Sequence, residues 1–256
     1  MKLSNLIIEA AKRPEEIPAR EWLVQDIELN PDSSSEILFI QSNKTYLLLE
    51  VLCGLRLALT GRIDAVNGPI SNDRLRYTWL RIKHAVATMA DDHGEQQLFP
   101  GHDNSLMLDD FSHLIVPEGL PSLLETLAQD DTRETISDIL KTISHGSMTG
   151  IRMDSPDTLS VTTAKNGQIP YHYLSQGQME TVRAAVSLLQ WKTGIAPILP
   201  LLLSEYETMA HDCRIAMVRE ACETEAAGQV IFLGTPHELV TLFHQVEVPV
   251  SVYTIS

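Results

Sequence analysis

The sequence predicts an α/β fold, and three observations carry that prediction. Short apolar runs at 37–40, 198–203 and 229–233 are each bounded by turn-forming or polar residues. Segments with helical spacing separate them, at Tyr46–Leu59, Gln178–Trp191 and about Asp212–Ala227. Between Thr158 and Tyr173 the spacing turns strand-like: Leu159 and Val161 alternate, and Asn166-Gly167 marks a hairpin turn. Strands and helices mixed in this order make an α/β protein.

The elements follow one another legibly. The turn cluster Asn30-Pro31-Asp32-Ser33-Ser34-Ser35 precedes Ile37-Leu38-Phe39-Ile40, which reads as a buried strand. Gln41-Ser42-Asn43-Lys44-Thr45 is a short polar loop, and an apolar helix follows it. Leu75, Trp79, Ile82, Val86 and Met89 step by four and three, which predicts a helix over Asp73–Met89. Arg74, Arg76, Arg81 and Lys83 lie mostly off that stripe; they read as a solvated face or as a contact for a nucleic acid or an acidic partner. Asp91–Asp110 reads as a loop, and Pro121–Gln129 and Thr132–Ser144 as helices, with Asp130 and Asp131 available to cap the second. Val246, Val248, Val250 and Val252 alternate near the end and predict a last strand, with Pro249 favouring a sheet edge.

Composition bounds the function. The 256 residues suit one large domain or two small ones, and 44% hydrophobic residues suffice for a core. A net charge of −15 argues against a protein that coats nucleic acid by itself, because phosphate binding needs clustered Lys and Arg. Cys53, Cys213 and Cys222 form no C-x-x-C pair, which fits ordinary thiols in a reducing compartment. The first apolar run is too short for a signal peptide, and Glu50 and Arg56 interrupt the most apolar segment. A cytoplasmic protein is expected. Asp91-Asp92-His93 and His102-Asp103 match no metal-ligand spacing.

The most specific motif is Leu174-Ser175-Gln176-Gly177-Gln178, at the start of a helix and after the hairpin. Leu201-Leu202-Leu203-Ser204-Glu205 follows, then Ile231-Phe232-Leu233-Gly234-Thr235-Pro236-His237. This ordered set resembles the C-terminal half of ABC-type ATPase heads of the SMC and RecF-like branch, where L-S-x-G-[QE] opens a helix. A strand ending in Asp-Glu comes next, and a final strand presents a switch residue, often His. The resemblance implies a P-loop NTPase fold with a central mixed sheet, in a single domain over 1–256 carrying a small helical lobe at about 73–150. It implies ATP and magnesium as cofactors. Asn43, Lys44, Thr45, Ser175, Gly177 and Gln178 would bind nucleotide, and Glu205 and His237 would act on it. A Ser hydroxyl, glycine amides and a helix N-terminus favour phosphate.

Two departures from the family pattern stand out. The family's phosphate loop reads G-x-x-G-x-G-K-[ST], whereas here Gln41, Ser42 and Asn43 precede Lys44-Thr45 without a glycine. Ser204 stands where the family has its magnesium-linked Asp. The resemblance therefore implies a degenerate head, a pseudo-ATPase that pairs through its signature face with a partner, either a second copy or an intact ATPase. By analogy the complex would process DNA, in repair or in defence against mobile elements. Two other readings stand beside it: an active, divergent ATPase using Lys44 and Glu205, and a pure protein-interaction module. Each site residue also has a structural reading: Ser175 and Gly177 as a helix cap, Lys44 as a surface lysine, Glu205 in an ion pair, His237 in a local hydrogen bond. The reading requires residues 41–45 and 201–205 to lie on neighbouring strands of one sheet.

Overall fold

The computed structural model describes residues 1–12, 23–31, 36–60, 78–88, 95–98, 105–108, 130–155, 158–196, 198–224 and 228–256. In chain order these hold β1 (Lys2–Lys12), β2 (Leu23–Leu29), β3 (Ile37–Gln41), α1 (Thr45–Thr60), β4 (Thr78–Thr88), β5 (Glu95–Gln97) and β6 (Ser105–Leu108). They continue with α2 (Asp130–Ile143), β7 (Met148–Ser155), β8 (Thr158–Thr163), β9 (Gly167–Pro170), α3 (Gln176–Lys192) and β10 (Ile198–Leu202). Last come α4 (His211–Glu223), β11 (Gln229–Gly234), α5 (Pro236–Phe243) and β12 (Ser251–Thr254), with 3₁₀ turns at Tyr171–Tyr173 and Leu203–Tyr206.

The central sheet is parallel, in the order β10-β11-β3-β12. Its strands read as unbroken apolar runs because both faces are covered. Ile37, Phe39, Leu199, Leu201, Val230 and Phe232 face a core shared with α2, α3, α4 and α5. Leu38, Ile40, Ile198, Leu202, Ile231 and Leu233 face a second core, shared with α1 and an antiparallel sheet. Phe243 of α5 sets its ring edge-on to Phe39 and to Phe232, at centroid distances of 5.3 and 4.9 Å, and so ties α5 to the two central strands. Pro200 is tolerated in β10 because that strand is an edge.

The antiparallel sheet runs β2-β1-β4-β5, with β6 also on β4. Helix α1 lies between it and the parallel sheet, which explains a helix apolar nearly all round. The fit is close: a β-carbon on Gly54 would meet Ile8 Cδ1 of β1 at 2.2 Å. Gln229 at the start of β11 accepts a hydrogen bond from the Leu3 amide at 2.9 Å, joining the two sheets. A third sheet, β7-β8-β9, leads into α3, and Gly167 takes the left-handed conformation (φ 66°) in the expected hairpin turn.

Several sequence expectations need correction. The stretch read as a helix over Asp73–Met89 is strand β4 wherever it is described, bonded to β1 on one side and to β5 and β6 on the other. Ile82, Ala85, Val86 and Ala87 are buried, and an irregularity opposite Ile7 and Ile8 leaves both Lys83 and His84 exposed. Lys83 spends its charge across the sheet, on Asp26 of β2 at 2.8 Å and Glu9 of β1 at 3.0 Å. The expected helical lobe at about 73–150 holds β4, β5, β6 and the start of β7, with α2 its one helix among the described residues. Strands β5 and β6 also stand within the expected loop at Asp91–Asp110. Pairing to β4 supplies the hydrogen bonds that local pattern did not reveal. The last strand is confined to Ser251–Thr254, because Pro249 has no amide to donate. The Pro121–Gln129 helix expectation lies outside the described residues. No helix of the described residues is long and apolar enough to cross a membrane.

Candidate functional site

The candidate site gathers at the carboxyl ends of β3, β10 and β11. The segments 41–45 and 201–205 do share one parallel sheet, but they are not neighbours: β11 lies between them. From β3 the chain reaches α1 through Ser42, Asn43 and Lys44 alone. Two of these three amides are already used. Ser42 N donates to the Gly234 carbonyl at 3.2 Å, and Lys44 N donates to Ser42 Oγ at 3.1 Å. Ser42 is buried, whereas Asn43, Lys44 and Thr45 are exposed.

Glu205 turns inward. It sits in the 3₁₀ turn after β10, with a side chain 1% exposed, and its Oε2 lies 3.4 Å from Arg56 Nη2 of α1. Arg56 is 11 residues past Thr45, or about 16 Å along the helix at ~1.5 Å per residue. The carboxylate is thus held by a cation from the far half of α1. Half-buried Ser204 precedes it. The neighbouring Tyr206 and Cys53 are fully buried, and burial pushes the Cys53 thiol up to about 12, with Arg56 partly offsetting and Glu205 and Glu50 adding to the rise.

The signature turn is a well-formed helix start. Ser175 is the N-cap of α3: its Oγ accepts from Gln178 N at 3.4 Å, and Gln178 Oε1 accepts from Ser175 N at 2.9 Å. Gln178 is thereby absorbed in the cap. A β-carbon on Gly177 would lie 2.2 Å from the Thr208 carbonyl oxygen, so this glycine is required by a backbone of its own chain. One turn later the buried Glu180 accepts the Met209 amide on Oε2 at 2.9 Å. The signature helix and the segment after Glu205 are therefore locked together.

After β11 the chain caps α5 in the same way. Thr235 and Glu238 form a capping box, in which Thr235 N donates to Glu238 Oε2 at 2.8 Å. The other oxygen of Glu238 takes Arg214 Nη2 of α4 at 3.0 Å, and the same Nη2 donates to the Leu203 carbonyl at 3.1 Å. Arg214 thus joins the ends of β10 and β11. His237 is exposed, and its backbone carbonyl accepts from Thr241 Oγ1. Sequence reasoning singled out His237 and passed over Glu238, although Thr-x-x-Glu before an apolar run is a legible cap signal.

No protein-family model matches the chain, and no curated protein does. Solved structures do. The chain is similar to an SMC head bound to the C-winged helix domain of ScpA, at 11% identity and TM-score 0.55 over 100% of this chain and 94% of that one. The fold is that of an SMC head domain. The SMC head domain from Thermotoga maritima matches at 10% identity and TM-score 0.51, covering 100% and 95% of the two chains. An SMC head with an extended coiled coil, bound to the C-terminal domain of ScpA derived from Pyrococcus furiosus, matches at 9% and 0.51, covering 100% and 93%. Among the described residues, no group of three or more His, Cys, Asp or Glu is placed to hold a metal ion.

Proposed function

We propose that this head-type chain is catalytically impaired at its own nucleotide loop and acts by assembling with a partner that carries an intact ATPase site. One observation supports this above the others: the connection from β3 to α1 is three residues long, and its Ser42 and Lys44 amides are already committed. A triphosphate needs a longer run of inward-facing amides, usually supplied through glycines. These residues do not fit that group. The burial of Glu205 against Arg56 agrees, since a carboxylate paired inside the protein is poorly placed to orient a water.

In this reading the signature turn is what serves the shared site. Ser175 is exposed at the N-terminus of a 17-residue helix, where a phosphate held by a partner would be favoured. In this reading ATP and magnesium reside in a site shared with the partner, and Ser175 completes it. Two of the similar heads are bound to a domain of ScpA, which supports a partner-binding role for this one. Placement in a cytoplasmic complex for DNA repair or genome defence extends the fold-level analogy.

The test is ATP turnover by the purified chain, with thermal melts in ATP and magnesium alongside. No turnover and no ligand-dependent rise in melting temperature are expected for the isolated chain. Turnover at ordinary enzyme rates, abolished by Lys44→Ala or Glu205→Gln, overturns the proposal in favour of a divergent active ATPase.

A further inference from the structure

The signature turn carries an aromatic side chain that its motif does not require. Tyr173 is 74% exposed, beside an exposed His172 whose ring centroid lies 4.2 Å away. The turn that carries them is firmly seated: Tyr171 and Leu174 on either side are buried, and Leu174 N donates to the Tyr171 carbonyl at 3.1 Å. A large amphipathic ring held out on a rigid turn is the usual composition of an interface anchor.

The two segments that meet at this turn carry charge of one sign. The Gly177–Thr208 approach and the Glu180–Met209 bond join the turn to the segment after Tyr206, where Glu207, Thr208, Ala210, His211 and Asp212 are exposed. Across 172–178 and 207–212 there are two acids, Glu207 and Asp212, and no Lys or Arg. The whole chain carries −15. A second copy placed face to face would set acid against acid. We infer that Tyr173 anchors this face to a different protein chain that presents a Lys or Arg side chain to the ring, with Glu207 and Asp212 steering the approach. The inference rests on the proposed assembly through the signature face and names the chemistry of the partner.

The probe is a fluorescein-labelled oligo-arginine peptide, followed by anisotropy at low salt against the full chain. Tyr173→Ala is expected to weaken binding by about two- to five-fold, Tyr173→Phe to retain it, and Glu207→Gln to weaken it and flatten its salt dependence. Unchanged melting temperatures verify that the exposed substitutions leave the fold alone. Equal binding by Tyr173→Ala and wild type overturns the inference. So does self-association in sedimentation that Tyr173→Ala abolishes, or duplex DNA binding that it weakens. The peptide holds no nucleotide, so failure here leaves the impaired-loop reading standing, and ATP turnover leaves this inference standing.

Discussion

Glu205 Oε2 lies 3.4 Å from Arg56 Nη2, with the two side chains 1% and 18% exposed. A buried pair broken from one side strands a charge, at a cost of about 3–5 kcal/mol. Arg56→Met is therefore expected to lower unfolding free energy by roughly 3 kcal/mol in urea titrations. The Arg56→Met/Glu205→Leu double variant should recover much of that loss. If the single variant is as stable as wild type, the pair is not what holds Glu205.

Gly177 is predicted to matter for packing even without any nucleotide. Gly177→Ala forces a β-carbon against the Thr208 backbone and should cost about 1–3 kcal/mol in denaturant melts of the isolated chain. Gly54→Ala supplies the contrast, because its clash is with the Ile8 side chain. Adding Ile8→Ala should relieve the Gly54→Ala clash, whereas no side-chain trimming relieves the one at Gly177.

At the start of α5 the roles of two adjacent residues divide. Glu238 accepts from the Thr235 amide and from Arg214. Glu238→Ala should destabilise by about 1–2 kcal/mol, through loss of the cap and of a charged hydrogen bond. The exposed His237→Ala should stay within about 0.5 kcal/mol of wild type. Thermal melts of the two variants decide it, and equal losses would mean that the Arg214–Glu238 link is energetically idle.

The thiols predict an alkaline weakness. Burial raises Cys53 and Cys222 from 9.0 to about 12, with Glu223 adding at Cys222. The folded state holds these protons more tightly than the unfolded chain does. Their stabilisation is therefore complete below the unfolded value of 9.0 and is lost as pH climbs toward about 12. Melting temperature should fall as pH rises above 9.0, and a Cys53→Ala/Cys222→Ala variant should show a flatter alkaline limb. In native protein near pH ~8, a thiol reagent should modify the half-buried Cys213 before the other two.

Much of the parallel sheet was legible along the chain, and the physical reason is its burial on both faces. Ile37–Ile40, Ile198–Leu202 and Gln229–Leu233 need apolar side chains at nearly every position, so each run declares itself without reference to any other segment. The caps at Ser175 and Thr235 are equally local, since N-cap and N3 are three residues apart.

The antiparallel sheet was not legible, because Leu75, Trp79, Ile82, Val86 and Met89 satisfy a helical period as well as residues 78–88 satisfy a strand. Only pairing with β1, more than 70 residues earlier in the register of Ile8 with Ile82, settles the choice. The site divides along the same line. The amino-acid order by itself determined which residues would close β3, β10, β11 and the start of α3, since those signals act over a few residues. Tertiary structure alone decided what they face: Arg56 reaches Glu205 across 149 positions of sequence, and Thr208 claims the space beside Gly177. Local propensity encodes where a chain turns; the partner waiting at each turn comes from contacts whose separation no short pattern records.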